Sequence, residues 1–414
     1  MSKARYKALL LIADGMGDRP VPELDNKTPL EYAPTPTLDR LAREGECGLM
    51  DPIAPGIRAG SDTAHLAILG YDPYKVYQGR GPFEALGIGM EVRGGDIALR
   101  CNFSTVDENL RVVDRRAGRI TEGTHALAEA VNGIEIEGVQ CFFKESVAHR
   151  GALVLRGEHL SPHISDVDPH AEGERIHESH ALDPSDSNAV RTARIVNAFV
   201  QLSYERLKDH PINRERQAQG LPPANIILPR GAGIAPVLEP FPQRHGMSAV
   251  AVVETGLIRG IARFVGMDTM EAPGATGGTD TDMLSIADTL AEALQRYDFV
   301  LCNVKAPDLC GHDGNARLKA QMIERLDALV ARLLERYTEP FYLMVTADHS
   351  TPCSVRDHSG DPVPVLLYGP DLRGDEVLKY HEYACARGGM GRLRGGDLVP
   401  ILTQLMGVQE KFGA

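Results

Sequence analysis

The sequence predicts an α/β fold that carries a smaller inserted α+β unit. Strand-like and helical patterns alternate through both ends of the chain, and the strand-like runs are continuously apolar, as in a parallel sheet buried on both faces. Residues 8–13 stop at Asp14, residues 299–304 lead to Asp308, and residues 341–347 stop at Asp348 and His349. Ligands of open α/β sheets gather beyond the carboxyl ends of the strands, so these endings point to one site. Asp14 and Ser61 belong to the first segment, whereas the other candidate ligands lie beyond residue 300. If they meet, the middle of the chain is an insertion.

The elements follow in order. Residues 7–13 read as a buried strand by their Leu and Ile content, and residues 37–45 as a short amphipathic helix closed by glycine. Residues 59–90 are rich in Gly and polar residues and read as functional loops. Near Gly95 the texture changes. Residues 96–103, 140–144 and 152–156 are short strand-like runs, bracketing helical stretches at 122–131 and 188–207. Leu221-Pro222-Pro223 marks a boundary, and a new strand starts at 225–228. The expected units are therefore 1–95 with 224–414, and an insert of 96–223. Strands at 249–253, 299–304 and 363–368 then alternate with helices at 283–297, 317–337 and 397–405. The helix at 317–337 carries Leu318, Met322, Ile323, Leu326, Leu329, Val330 and Leu333 at helical spacing.

Composition excludes several classes. The 414 residues suffice for two domains, and 43% hydrophobic with 24% charged residues describes a globular chain. No apolar stretch approaches the ~20 residues that span a bilayer. The N-terminal apolar run is cut at Asp14, too early for a signal-peptide core. Seven cysteines, odd in number and without a C-x-x-C pair, fit free thiols in a reducing, cytoplasmic setting. The net charge of −13 argues against a nucleic-acid partner, though focused arginines could still hold a small phosphorylated substrate.

The chemistry-bearing motifs each have a plain alternative. Asp348 could simply cap the next helix. Asp308 and His312 stand four apart, which brings them to one face of a helical turn, but Gly311 and Gly314 make a loop equally suitable. His358 sits in a Gly/Pro-rich loop, where histidines are commonly exposed; it follows His349 closely enough to fold back onto the same site. Ser61, Asp62, Thr63 and His65 could begin a helix whose N-terminus favours a bound phosphate, with Ser61 or Asp62 as its cap. Together, three carboxylates, three histidines and a hydroxyl suit divalent metals that accept mixed oxygen and nitrogen ligands, such as Mn²⁺ or Zn²⁺. A pair of such ions roughly 4 Å apart would clamp both oxygens of an in-line phosphoryl transfer.

Nine stretches carry a resemblance: LLIADGMGDRP (10–20), GSDTAHLAILGYDP (60–73), YQGRGPFEALGIGM (77–90), CNFSTVD (101–107), VDRRAGR (113–119), SPHISDVDPH (161–170), GATGGTDTD (274–282), KAPDLCGHDG (305–314) and TADHSTP (346–352). In these the chain resembles the cofactor-independent phosphoglycerate mutases of the archaeal type, in the alkaline phosphatase superfamily, over nearly its whole length.

The resemblance implies an alkaline-phosphatase-like three-layer sandwich with an inserted substrate-binding domain, hinged near residues 95 and 223. It implies two divalent metal ions per chain, Mn²⁺ first, with Zn²⁺, Co²⁺ or Mg²⁺ as alternatives. Asp308, His312 and His358 would hold one ion, and Asp14, Ser61, Asp348 and His349 the other. Ser61 would become phosphorylated, since the best-known mutase branch also places its serine four residues before a histidine, here His65. Thr63 is the local rival, because Asp62-Thr63-Ala64 imitates the nucleophile triplet of alkaline phosphatases. Arg115, Arg116, Arg119, Arg150 and Arg156 are candidates for the substrate's phosphate and carboxylate. His163 and Asp166 are candidates for its hydroxyls and for proton transfer. Several of these arginines could equally be solvated surface residues. Lys305 stands where the bacterial branch has no lysine, and that branch's active-site lysine has no counterpart near residues 254–257. Lys305 is therefore expected to neutralise the phosphoserine. The GATGGTDTD stretch could contact substrate through backbone amides or simply cap the next helix.

The expected reaction is the isomerisation of 2-phosphoglycerate and 3-phosphoglycerate through a phosphoserine, a step of glycolysis and gluconeogenesis. A metal-dependent phosphatase or phosphotransferase for another small phosphorylated hydroxy acid or sugar would use the same ligands. A non-catalytic metal- or phosphate-binding protein would not require an intact nucleophile.

Overall fold

The computed structural model describes residues 6–409, 411 and 413. The chain divides into two compact units: one runs through Tyr74 and resumes at Glu239, and the other spans Lys75–Leu238.

The discontinuous unit is built on a sheet of eight strands. Its order is Asp268–Met270, Ala249–Val253, Phe299–Val304, Lys7–Ala13, Phe341–Thr346, Val363–Tyr368, Glu46–Asp51 and Gly391–Arg394. The first five strands are mutually parallel, while Val363–Tyr368 is antiparallel to both of its neighbours. Every residue of Ala249–Val253, Phe299–Val304 and Phe341–Thr346 is buried, as covered parallel strands require. Helices Met283–Arg296 and Leu398–Met406 both contact the central strand Lys7–Ala13, so the α/β class and its layering are as expected. Register positions the site. Ala13 lies opposite Val304 and Ile12 opposite Thr346, so Asp14, Lys305 and Asp348 leave the sheet side by side.

The Lys75–Leu238 unit is an antiparallel sheet centred on Ile97–Val106, which pairs with Arg150–Arg156 and Ile226–Ile234. Helices Thr124–Val131 and Ser187–Leu207 pack on it, and Phe103 and Phe143 meet edge-on at 5.5 Å in its core. The units therefore part at 74/75 and 238/239, not near 95 and 223. Strand pairing is the reason: Ile226–Ile234 hydrogen-bonds to Ile97–Val106. Helix Gly81–Gly87 also belongs here, because Gly81 packs so closely on Ala98 that a Cβ would fall 1.9 Å from its carbonyl oxygen.

One local expectation changes, and one open alternative is decided. Much of 59–90 is helical (Ser61–Ile68, Pro73–Val76 and Gly81–Gly87) rather than loop, because Ala64, Leu66, Ala67 and Ile68 bury an apolar face. Asp308 and His312 share one helix, Ala306–Asp313, ended by Gly314 in the left-handed region at φ 70°. Gly311 is tolerated there because a Cβ would meet the Thr351 carbonyl at 2.3 Å.

Beneath the strand ends, buried Lys319 donates from Nζ to Asp18 Oδ2 at 2.8 Å, and Asp18 accepts from the Cys353 N–H. The Asp18 N–H donates to Glu382, which also accepts from Thr28 Oγ1 at 2.7 Å. Glu382 as a residue is half-buried, but its carboxyl turns inward, and burial pushes it up to about 7. A carboxyl raised on folding stabilises below its unfolded value, and that contribution is lost as pH rises through about 7. Glu382→Gln should therefore flatten this loss, leaving the variant relatively more stable at pH 8 than at pH 5 by roughly 1–2 kcal/mol. Urea unfolding of both proteins at the two pH values measures it; a parallel pH dependence would refute it.

Candidate metal centre and active site

Asp14 ends the central strand, and its Oδ1 accepts from Lys305 Nζ at 2.9 Å. The same ammonium lies 2.7 Å from Asp308 Oδ2, so Lys305 bridges the two carboxylates. Asn303 Nδ2 donates to Asp14 Oδ2 at 3.1 Å and lies 3.2 Å from His65 Nε2. The His65 Nδ1–H donates to the Ser61 carbonyl at 2.7 Å, tying the first turn of helix Ser61–Ile68 to the strand ends.

The Ser61 hydroxyl does not cap its helix. Its Oγ lies 3.1 Å from His349 Nε2, whereas Thr63 Oγ1 donates to the Gly60 carbonyl at 3.1 Å. Of the two rivals, Ser61 is the one turned to the cluster. Asp348 Oδ1 accepts from the N–H groups of Gly15 and His349, each at 3.1 Å, while its buried Oδ2 has no hydrogen-bond partner. That oxygen lies 3.3 Å from His349 Nε2 and 3.6 Å from His65 Nδ1.

His358 stacks on His349 with ring centres 3.6 Å apart, and His312 lies 5.2 Å beyond it. His358 and His312 each have one nitrogen held by backbone: His358 Nδ1 by the Ala59 carbonyl at 2.8 Å and His312 Nδ1 by the Arg356 carbonyl at 3.1 Å. This leaves each Nε2 facing Asp308, at 3.7 Å and 3.5 Å respectively. A carbonyl on the far nitrogen is the usual way a metal-binding imidazole is aimed.

The electrostatics need cations. Burial and the neighbouring Asp348 push the Asp14 carboxyl well up, although Lys305 opposes them. Burial also works against ionised Asp308 and Asp348, but Lys305 and His349 outweigh it and hold both below the ordinary carboxylate range. Burial lowers His349 to about 4, so its ring is neutral at physiological pH. Buried carboxylates crowded around one ammonium, an orphaned Asp348 oxygen and imidazoles aimed by backbone carbonyls form a donor set that divalent cations fit. Among the described residues, two groups lie close enough to hold an ion: Asp308, His349 and His358, and Asp14, Asp348 and His349, each with ligand atoms within 4.8 Å of one another. His349 is common to both. His312 stands beside the first group through Asp308, and Ser61 beside the second through His349.

The inserted unit has its own polar recess of about 430 Å³, lined by Arg115, Arg116, Arg119, Asp114, His170 and Glu172. Arg115 grips buried Asp168 with both arms, at 2.6 and 3.1 Å, which keeps the Asp168 carboxyl low against its burial. Asp166 accepts from the Gly231 N–H at 2.7 Å and lies 3.1 Å from His170 Nε2. Arg150 lines a second recess with Arg100, Asn102 and Arg230, whose buried Nε makes no hydrogen bond. His163 is exposed in a loop and joins neither recess. Arg156 is committed elsewhere, with three contacts to Asp96 between 2.7 and 3.2 Å.

Comparison with known proteins gives the family. Residues 42–213 match the family model described as 2,3-bisphosphoglycerate-independent phosphoglycerate mutase. A protein of that name from Methanosphaera stadtmanae is 54% identical, over 99% of this chain and 100% of the relative. The chain belongs to the 2,3-bisphosphoglycerate-independent phosphoglycerate mutase family. Another mutase of the family, from Methanocaldococcus jannaschii, is 50% identical over 99% of both chains. Among solved structures, the cofactor-independent phosphoglycerate mutase of Thermoplasma acidophilum superposes with a TM-score of 0.83 at 35% identity, covering 97% of this chain and 100% of that one. A Pyrococcus horikoshii protein gives 0.82 at 38% identity, with both chains fully covered.

Sequence reasoning overlooked several polar residues that this mutase-family chain builds into its carboxylate–imidazole cluster and its recesses. Asn303 lies inside an apolar strand, where an amide is a visible anomaly. Arg230 follows a buried strand start in a Gly-rich stretch, as Asp14 follows its own strand, and could have been found by the same rule. Asp168 and His170 lie within a stretch of family resemblance, but only their contacts with Arg115 and Asp166 single them out.

Proposed function

We propose that this chain interconverts 2-phosphoglycerate and 3-phosphoglycerate through a phosphorylated Ser61. The observation that carries the reading is the placement of Ser61 Oγ, 3.1 Å from His349 Nε2, at the start of a helix and against a cluster of convergent carboxylates and imidazoles. Bound there, two divalent ions, Mn²⁺ by preference for mixed oxygen and nitrogen donors, would lower the pKa of the serine hydroxyl and draw charge from the transferring phosphoryl group. Asp308, His312 and His358 would serve one ion, and Asp14, Ser61, Asp348 and His349 the other.

The chain's own residues do the rest. Ser61 attacks the phosphate, and the N-terminus of its helix favours the bound anion. Lys305 supplies a positive charge beside Asp14 and Asp308 that can neutralise the phosphoserine. Arg115, Arg116 and Arg150 of the inserted unit would hold the substrate's anionic groups, with Asp166 and His163 near its hydroxyls. Asp168 accepts from both arms of Arg115 and lies 3.9 Å from Arg230 Nε, so one buried carboxylate stands beside both guanidiniums. Glycerate, freed from the phosphate, turns and takes it back on its other hydroxyl. Seven buried free thiols support a reducing, cytoplasmic setting.

The test is an enolase-coupled assay with Mn²⁺ and 3-phosphoglycerate, without bisphosphoglycerate. Phosphoenolpyruvate formation is the expected result. Release of free phosphate instead would move the function to hydrolysis at the same site.

A further inference from the structure

Thr351 lies two residues beyond His349 and is fully buried. Its Oγ1 stands 2.6 Å from Asp308 Oδ1 and 3.1 Å from His349 Nδ1. One hydroxyl therefore touches a member of each ligand group, because His349 belongs to both.

The proton count decides the direction of these bonds. A threonine hydroxyl has one proton to donate and lone pairs to accept. Asp308, paired with Lys305 at 2.7 Å, can only accept, so the Thr351 proton points to Asp308. The lone pair facing the ring must then receive the His349 Nδ1–H. The remaining ring lone pair falls on Nε2, which faces Ser61 Oγ at 3.1 Å, Asp348 Oδ2 at 3.3 Å and Asp14 Oδ1 at 3.6 Å.

The surroundings hold this hydroxyl in place. The Thr351 N–H donates to the carbonyls of Gly15 and Gly17, and its own carbonyl accepts from buried Lys319 at 2.9 Å. A Cβ on Gly15 would fall 2.6 Å from Thr351 Oγ1, and one on Gly311 would fall 2.3 Å from its carbonyl oxygen. Glycines on both sides leave room for a small hydroxyl residue and little else.

We infer that Thr351 is a positioning residue that locks His349 in its Nδ1–H tautomer and orients Asp308, presetting both ligand groups with one side chain. This rests on reading the cluster as a two-metal centre. An outer partner that fixes a ligand's tautomer typically contributes about 10–100-fold to metal affinity.

Mn²⁺ titration calorimetry on the metal-free full chain tests it. The expected result is two Mn²⁺ per chain in wild type, near-normal affinity in Thr351→Ser, and about 10–100-fold weaker binding of both ions in Thr351→Val. Ring nitrogen-15 spectra of metal-free protein should show His349 as one tautomer in wild type and Thr351→Ser, and as a mixture in Thr351→Val. If Thr351→Val does not fold, Thr351→Ala carries the same expectations without added bulk. Wild type with two ions and a valine or alanine variant of equal affinity overturns the inference alone, even if thermal stability changes. Wild type with fewer than two ions overturns the two-metal reading and this inference with it.

Discussion

Replacing Ser61 by alanine is expected to lower kcat by at least about 10⁴-fold, the scale on which a lost nucleophile reduces turnover. The loss should fall on chemistry and not on folding. Ser61 Oγ makes its contact with His349 Nε2 and does not cap its helix, so the helix start survives the change. Metal affinity should fall less than activity, because Asp14, Asp348 and His349 remain. Thr63→Val is the control: its hydroxyl serves the Gly60 carbonyl, so the variant should keep most activity and lose a little stability. Phosphoryl transfer to protein, followed with labelled 3-phosphoglycerate, should vanish in Ser61→Ala and persist in Thr63→Val. The opposite pattern would make Thr63 the nucleophile.

Lys305→Met should have the second largest effect, and it should split between stability and catalysis. The ammonium lies between two almost fully buried carboxylates, at 2.9 and 2.7 Å. Removing it leaves them uncompensated in metal-free protein, a defect that costs about 3–5 kcal/mol in comparable buried pairs. The pH dependence has a definite sign. In wild type the Asp308 carboxyl is held low, chiefly because Lys305 overrides its burial, so its stabilisation is present above the unfolded carboxylate value and is lost as pH falls. Without Lys305 burial dominates and the carboxyl rises, so the variant gains relative stability as pH falls. The stability gap should be widest near pH 7 and close toward pH 3, and Mn²⁺ should narrow it at neutral pH. Turnover with metal bound should fall on the order of 10²–10³-fold, as when a donor to developing charge is removed. Unchanged phosphoserine formation in Lys305→Met would end the proposed catalytic role and leave only the structural one.

Legibility varied with how local the determinant was. Asp14 and Asp348 stood out because each ends an apolar run, and a carboxylate cannot end a buried strand without a reason. Ser61 followed from its position at a helix start and from the family resemblance. Asp308 and His312 left loop and helix open, because Gly311 is unfavourable in an isolated helix; packing against the Thr351 carbonyl, which excludes any side chain there, settled it. Arg156 looked like a substrate arginine and proved to be taken by Asp96, a partner sixty residues away that no local rule identifies. The unit boundaries were misplaced for the same reason, since Ile226–Ile234 pairs with a strand more than a hundred residues earlier.

Sequence alone determined the α/β class, the inserted unit, the family resemblance and the residue types that converge at the strand ends. Periodicity, strand-terminal polarity and motif spacing are properties of neighbouring residues, and they survive without coordinates. Tertiary structure alone decided which atoms meet: His349 common to both candidate ligand groups, Lys305 between Asp14 and Asp308, and the Thr351 hydroxyl between Asp308 and His349. Those contacts depend on strand register and on the hydrogen-bonding direction of single protons, to within a fraction of a bond length. A one-dimensional pattern does not carry distances on that scale.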